Sequence, residues 1–350
     1  MKMTMRWFGS ADSVTLEQIA QIPCIRGIVG TLEDMPATGV WALEKLLDYK
    51  AQVESAGFTL DVIESIPVPE AVKKGLPERD VSIEDYCESI RNLGRAGIRV
   101  LCYNFMPILD WMRTEMILYL PDASVVTGYT HALMEEFDLS QGLGARVAWA
   151  KGYSGEELQA EVKHYEHIDE AALFENLAYF LRRVVPVAEE AGVYLALHPD
   201  DPPWSILGLP RIVRDGESIQ RILDIIDSPH NGFTFCTWSL GTLAANDLPT
   251  MIHQFASRIH FVHLRNVQIT GDRDFYEVAH PSECGSVDMG AVMQALVDTG
   301  YAGPLRPDHG RQIWNEEVPR TGYGLYDRAL GAMYLYGLWQ GIQQEWKGQS

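Results

Sequence analysis

The 350-residue chain lacks most of the features that would place it outside the ordinary folded proteins. It has 28 Lys and Arg against 48 Asp and Glu, and the formal net charge of −20 opposes binding to phosphate backbones or anionic lipid. No segment reaches the roughly 18 consecutive apolar residues of a membrane span. The N-terminal MKMTMRWFGS becomes polar before a signal-peptide core forms. We therefore expect a cytoplasmic protein that binds neither nucleic acid nor membrane.

Cysteine is scarce, and its spacing matches no known framework. Five cysteines are an odd number and include no Cys-x-x-Cys pair, which argues against a disulfide framework and a structural zinc knuckle. They are Cys24, Cys87, Cys102, Cys236 and Cys284. We expect reduced thiols that mostly pack as small apolar side chains. Only the fourth, in FTFCTWS, has a position that suggests chemistry.

Strand-like segments alternate with helical patterns along the chain, and several of the helical patterns end in glycine just before the next strand. Strict alternation predicts right-handed crossovers and a parallel sheet, and eight such units close most simply into an α/β fold, the (β/α)₈ TIM barrel. A doubly wound open sheet is the alternative, although no GxGxxG follows the first strand. The predicted strands cover residues 5–9, 25–32, 58–64, 99–105, 193–198, 233–238, 259–264 and 304–308.

The interval between the fourth and fifth predicted strands is too long for one helix. Within it, MILYLPDASVVTGY has two β-prone runs around a Pro-Asp turn, which predicts a hairpin over the barrel mouth. Helices are expected to follow over about 155–191. We predict one barrel domain over residues 1–350, with a hairpin and helical insertion at about 110–165 that serves as a lid or a subunit contact.

Four potential metal ligands lie at the C-terminal ends of four successive strands late in the chain. The C-terminal ends of barrel strands meet at one rim, so these side chains converge if the strands are neighbours. Two imidazoles, one thiolate and one carboxylate suit a divalent transition ion such as Mn²⁺, Fe²⁺, Co²⁺ or Zn²⁺ better than Mg²⁺ or Ca²⁺. The candidates are His198, Cys236, His263 and Asp308. His260 has the opposite parity on its strand, and we expect a structural role for it.

Further polar groups follow the strand ends. His309 comes directly after the candidate carboxylate, where an imidazole can act as general acid or base, or can simply support that carboxylate. Tyr323 and Tyr326 lie in the next loop, and the residues alone do not decide between them. An arginine at the mouth suits a substrate carboxylate. The groups expected to face the mouth are Arg265, Asn104, Trp7 and Glu64, and packing or a salt bridge is the alternative to substrate contact for each of them.

Eight longer motifs occur in order along nearly the whole chain. They are MRWFG, YNFMPILDWMRT, LHPDDPPW, FCTWSLG, HFVHLRNV, GSVDM, RPDHGR and GYGLYDRALGAMYLYGLW. Together they resemble the motifs of the mannonate dehydratase family, which are metal-dependent D-mannonate hydro-lyases with a xylose-isomerase-like barrel. The resemblance implies dehydration of D-mannonate to 2-dehydro-3-deoxy-D-gluconate in hexuronate (glucuronate) catabolism. It also implies a homo-oligomer, a dimer or higher.

By this resemblance the four candidate ligands match the family's metal site, which implies Mn²⁺ or Fe²⁺. His309 and Tyr323 match the pair assigned to proton transfer, which favours Tyr323 over Tyr326. One residue departs from the pattern, because Trp238 stands where a small residue, usually glycine, is expected. An indole two residues from Cys236 is expected to crowd the metal or the substrate.

Three other functions fit parts of the pattern. A sugar isomerase would use the same barrel, a metal and a polyol, but the lone thiolate and the pairing of RPDHGR with GYGLYD favour dehydration. A metal-dependent endonuclease would need a basic face, which the net charge of −20 opposes. A binding or sensor protein would hold metal and substrate without turnover.

Overall fold

The structure, a computed structural model, describes residues 1–32, 35, 38–141 and 154–349. Its described part contains twelve strands, numbered here in chain order. They are β1 (Lys2–Trp7), β2 (Gly27–Gly30), β3 (Thr59–Glu64), β4 (Val100–Tyr103), β5 (Glu115–Tyr119), β6 (Val125–Tyr129), β7 (Tyr194–Leu197), β8 (Asn231–Cys236), β9 (Ile259–His263), β10 (Val267–Gly271), β11 (Asp274–Glu277) and β12 (Pro304–Arg306).

Eight of these strands close into a parallel barrel in the order β1-β12-β9-β8-β7-β4-β3-β2, and β2 pairs back to β1. The predicted (β/α)₈ barrel is confirmed, and the open sheet is excluded. The strands are shorter than predicted at several ends. The eighth ends at Arg306, so Asp308 lies in the loop beyond it rather than on the strand.

Helices cover the outside of the barrel. The longest one before the C-terminus begins where the Asp169 carboxylate accepts a hydrogen bond from the amide of Ala172, and it ends at Gly192 with a φ of +66°. None of the helices in the described ranges is long and apolar enough to cross a bilayer. The α-helices are α1 (Leu16–Ala20), α2 (Leu43–Ser55), α3 (Glu70–Lys73), α4 (Arg79–Arg95), α5 (His131–Glu135), α6 (Gly155–Lys163), α7 (Glu170–Ala191), α8 (Gly216–Leu223), α9 (Thr237–Gly241), α10 (Leu248–Phe255), α11 (Met289–Asp298) and α12 (Tyr326–Gln349).

A second sheet, whose strands form no ladder with the barrel strands in the described part of the chain, has the strand order β10-β11-β6-β5. Its β5–β6 hairpin falls where the Pro-Asp turn predicts one. The β10–β11 hairpin leaves the barrel after β9 and was not predicted, and it joins the first hairpin where Phe275 pairs with Tyr129. Residues 142–153 of the predicted insertion lie outside the described residues, and the extent of the insertion and the single domain stay predictions.

The inside of the barrel is filled by a layer of apolar side chains. This layer lies among the strands and consists of Val29, Val62, Val100, Cys102, Ala196 and Phe261. A ligand must therefore bind at an end of the barrel rather than inside it, and barrel enzymes place their active sites at the C-terminal rim.

Candidate active site

Three of the four candidate ligands meet at the rim. His198 directly follows β7, while Cys236 and His263 end β8 and β9 and face each other in the strand register. One ligand atom of each residue lies within 4.8 Å of the others. The closest pair is His198 Nε2 and His263 Nδ1, which lie 3.2 Å apart. Adjacent parallel strands therefore bring two imidazoles and a thiol to one point.

Asp308 completes this set from the loop after β12. Its Oδ2 lies 4.0 Å from the sulfur of Cys236, and its Oδ1 lies 3.7 Å from Nδ1 of His263. Burial opposes ionisation of this carboxyl, but its interactions with the neighbouring His309 ring and with the charged Arg306 outweigh burial and hold the Asp308 pKa well below its usual range. The fourth donor is therefore a carboxylate.

The ring nitrogens of both histidines are oriented for metal binding. His198 Nδ1 lies 2.7 Å from the Pro199 carbonyl oxygen and donates to it, which leaves Nε2 bare toward the site. His263 turns Nε2 toward Glu64 Oε2 at 3.6 Å and presents Nδ1 to the other ligands. Burial, with the nearby charge of Arg306, lowers the pKa of His263 to about 4, so the ring is neutral at pH 7, as a metal ligand must be.

The thiol of Cys236 is also prepared as a donor. Its sulfur accepts hydrogen bonds from the amide and the hydroxyl of Ser239 at 3.5 and 3.4 Å, where α9 begins. Burial and the neighbouring Asp308 carboxylate raise the pKa of this thiol. A divalent cation is what would hold the sulfur as a thiolate here, and two nitrogens, one sulfur and one oxygen fit such an ion.

A second group of possible donors, Glu64, Cys102 and His263, is also close together. Its members already have other partners. Glu64 forms ion pairs with Arg6 and Arg306, the latter at 3.1 Å, and Cys102 lies in the apolar layer inside the barrel. The first group is therefore the better candidate for a metal site, and Glu64 lies beside its His263 ring.

His309 and Tyr323 lie beside the candidate ligands. His309 Nε2 is 3.0 Å from the Tyr323 hydroxyl and 3.8 Å from Asp308 Oδ1. Burial raises the pKa of the Tyr323 phenol, and the nearby arginines Arg306 and Arg6 oppose that rise. Tyr326 is 42% exposed, and its hydroxyl is not part of this pair.

One cavity of about 1210 Å³ opens at this rim. Its described lining includes all four candidate ligands, the His309–Tyr323 pair, and two of the four predicted substrate contacts, Asn104 and Glu64. Asn104 Oδ1 accepts from the Met106 amide at 3.2 Å, and its Nδ2 lies 3.5 Å from Asp110 Oδ2. A small polyhydroxy acid would meet polar groups and candidate metal ligands in the same space.

The other two predicted substrate contacts, Trp7 and Arg265, are absent from the described lining. Trp7 packs against Tyr49 with ring centroids 5.2 Å apart, and its carbonyl accepts from the Tyr49 hydroxyl at 2.7 Å. Arg265 is fully buried and points to Glu277 and to the carbonyl of His309. Both side chains therefore lie in supporting positions behind the site. Strand parity alone does not show which inward-facing side chains reach the mouth.

The expected crowding by Trp238 is not seen, since the indole is absent from the described lining of the cavity. Trp238 is buried between the barrel and the second sheet. It meets the ring of Phe275 edge-on at 5.4 Å, and the Arg113 guanidinium lies 4.8 Å from its centroid. The large side chain therefore fills an interface rather than the site.

Several acidic residues near the site were not predicted from the sequence, and of these Asp110 lies beside Asn104 and Glu277 lies beside His309. Asp110 lines the cavity, and burial raises its pKa despite a hydrogen bond from the Trp111 amide. Glu277, at the end of β11, lies 3.3 Å from Nδ1 of His309. Asp110 stands in the YNFMPILDWMRT motif and could have been found there, whereas Glu277 belongs to the hairpin that was not predicted.

Comparison with known proteins matches nearly the whole chain to one family. The family model described as D-mannonate dehydratase (UxuA) matches residues 1–349. The chain belongs to the D-mannonate dehydratase family. The mannonate dehydratase of Thermotoga petrophila is 52% identical over 355 residues, with 98% of each chain covered. Mannonate dehydratase 2 of Halalkalibacterium halodurans is 48% identical over 344 residues, covering 98% of this chain and 99% of the relative.

A solved mannonate dehydratase also has this fold. The structure from Streptococcus suis serotype 2 aligns with a TM-score of 0.92 at 45% identity, covering 99% of this chain and 95% of that one. Membership of the mannonate dehydratase family sets the reaction class. The protein is a carbon–oxygen lyase that eliminates water.

Proposed function

We propose that this protein dehydrates D-mannonate to 2-dehydro-3-deoxy-D-gluconate with a Mn²⁺ or Fe²⁺ ion held by His198, Cys236, His263 and Asp308. The observation that carries the proposal is the meeting of these four donors beside the His309–Tyr323 pair in one cavity. The donor set includes both hard and borderline-soft atoms, which favours a transition ion over Mg²⁺ or Ca²⁺.

The difficult step is removal of the C2 proton, because it builds negative charge on the adjacent carboxylate. A bound divalent ion supplies Lewis acidity that stabilises this charge, a contribution of several kcal/mol. The protein fixes the donors around that point through Glu64 behind His263 and Ser239 behind Cys236. Preformed donors reduce the reorganisation that the reaction requires.

His309 and Tyr323 divide the two proton transfers in this proposal. One group accepts the C2 proton, and the other protonates the C3 hydroxyl as it leaves. Both line the cavity, and their 3.0 Å contact allows a proton to pass between them after each turnover. A neutral phenol with a raised pKa retains its proton until a strong base develops nearby.

The proposal also covers the contacts of the substrate and the cellular role of the protein. Asn104 is the most direct candidate for a contact to a substrate hydroxyl, since its carboxamide lines the cavity. A role in glucuronate catabolism follows from the substrate. A homo-oligomer stays a prediction. A cytoplasmic location also stays a prediction.

We predict that His309→Ala and Tyr323→Phe each lower kcat for D-mannonate by roughly 10²–10⁴-fold, because each removes one proton-transfer group. Bound metal should remain near the wild-type amount, since neither residue is a proposed ligand. Tyr326→Phe is the matched control and should keep wild-type activity. A fully active His309→Ala enzyme would refute the assignment.

A further inference from the structure

A buried carboxylate stands behind His309, on the side of the ring that faces away from Tyr323. Glu277 is fully buried, and its Oε1 lies 3.3 Å from His309 Nδ1. The opposite ring nitrogen, Nε2, is the one that lies 3.0 Å from the Tyr323 hydroxyl. The three side chains therefore form a line that runs from the protein interior to the cavity.

Arg265 keeps this carboxylate charged and in place. Its Nη2 lies 3.4 Å from Glu277 Oε2, and its Nη1 donates to the backbone carbonyl of His309. Burial opposes ionisation of Glu277, but the charge of Arg265 and the hydrogen bond from His309 hold its pKa below the usual value. An ionised carboxylate can only accept hydrogen bonds, so the facing ring nitrogen must carry a proton.

We propose that Glu277 is a positioning residue that holds His309 in the Nδ1–H tautomer and directs a bare Nε2 toward the cavity. In a neutral imidazole one nitrogen donates and the other accepts, and the partner of the first nitrogen decides the role of the second. With Nδ1–H bonded to Glu277, the Tyr323 hydroxyl donates to Nε2. This inference rests on the proposed role of His309 in proton transfer and adds the group that orients it.

The second sheet is the element that supplies Glu277. Residues 275 and 277 of β11 share a face because strand side chains alternate. Phe275 anchors that face by stacking on Tyr129 of β6 at 5.2 Å and by meeting Trp238 of α9 edge-on at 5.4 Å. The β5–β6 and β10–β11 hairpins, together with Trp238, thus fix the position of the Glu277 carboxylate behind His309.

Kinetics of Glu277→Gln test this role. The amide is nearly the same size but has no charge, and it can present either its oxygen or its NH₂ group to the ring. We expect kcat for D-mannonate to fall by at least about 10-fold, with KM within about twofold and bound metal per chain unchanged. Asp274→Asn is the matched control on the same strand, because Asp274 accepts from the His131 amide at 2.7 Å and has no contact with His309. The control should keep wild-type kcat.

A double-mutant cycle separates orientation of His309 from general support of the fold. In a His309→Asn background, Glu277→Gln should cause no further loss of kcat, because the residue it orients is gone. Additive losses would overturn the inference, as would a wild-type kcat for Glu277→Gln. If His309→Asn itself were fully active, the proposed function of His309 would fail instead, so the two failures are distinguishable.

A measurement with Glu277 unaltered gives the same answer without any substitution at the residue under test. In the metal-free protein labelled with ¹⁵N-histidine, the signals lost in His309→Asn identify the ring of interest among 10 histidines. We expect a protonated Nδ1 and an unprotonated Nε2. A ring protonated only at Nε2 would overturn the inference.

Discussion

Single residues in this protein owe their chemical state to what surrounds them rather than to their type. His263 is neutral because it is buried beside an arginine, and Asp308 is ionised although it is buried because positive groups surround it. His260 lies three residues before His263 on the same strand and points the other way. Its buried Nε2 has no hydrogen-bond partner within the described part of the chain, and its ring contacts Tyr194.

His260 should make the stability of the fold depend on pH. Burial lowers its pKa to about 4, against about 6.5 in an unfolded chain. The unfolded state therefore binds a proton first, so stability is intact above pH 6.5 and falls as pH drops toward 4. This group alone should cost up to about 2 kcal/mol of unfolding free energy at pH 5 relative to pH 7.

Urea unfolding at pH 7 and pH 5 measures this effect. His260→Phe should show a smaller loss between the two pH values than the wild type, because phenylalanine cannot bind a proton. His253 is exposed, and His253→Phe should leave the pH dependence unchanged. Equal losses for the wild type and His260→Phe would contradict the prediction.

Whole elements follow local rules except where they touch other elements. Helix α4 packs against α7, and at their crossing a Cβ on Gly94 would lie 2.5 Å from the Ala191 carbonyl oxygen. In α12, a Cβ on Gly337 would meet no atom of the described residues within 4 Å, apart from the adjoining backbone of its own helix. The same residue type therefore serves close packing in one helix and has no packing role in the other.

We predict opposite effects of Gly→Ala in these two helices. Gly337→Ala should raise the free energy of unfolding by up to about 1 kcal/mol, because alanine is the better helix former. Gly94→Ala should lower it by about 1–2 kcal/mol, since the clash forces α4 and α7 apart and outweighs that gain. Chemical denaturation of the two variants checks the signs, and stabilisation by Gly94→Ala would show that the helices can separate at little cost.

The elements also show how far the sequence leads. Apolar runs separated by glycine-ended helical patterns were enough to predict the barrel, and the Pro-Asp turn was enough to predict the β5–β6 hairpin. The β10–β11 hairpin was missed because its strands have only five and four residues, too few for the period-two alternation of a strand to stand out from the neighbouring loops. Glu277 was missed for the same reason, since no local sequence pattern indicates that a strand outside the barrel packs against His309.

Strand parity correctly predicted the positions of the candidate ligands at strand ends, but it did not predict the direction of the side chains just behind them. It brought His198, Cys236 and His263 together because neighbouring strands keep their register. It placed Arg265 and Trp7 near the mouth, but both are turned into packing or ion pairs that depend on distant residues. Such side-chain directions come from tertiary contacts, which one sequence does not show.

At the scale of the whole molecule, a filled barrel directs chemistry to one rim, and two hairpins from different loops support that rim as a single sheet. Four donors and a proton-transfer pair share the cavity that remains. The central claim is that elimination of water from D-mannonate requires a divalent ion at these four donors.

Metal-stripped protein incubated with D-mannonate, with and without added Mn²⁺, tests that claim most directly, with 2-dehydro-3-deoxy-D-gluconate as the measured product. We predict product only when the ion is present, and little or none from Cys236→Ser under the same conditions because one donor is weakened. Equal product formation without metal, or none with Mn²⁺ or Fe²⁺, would contradict the account.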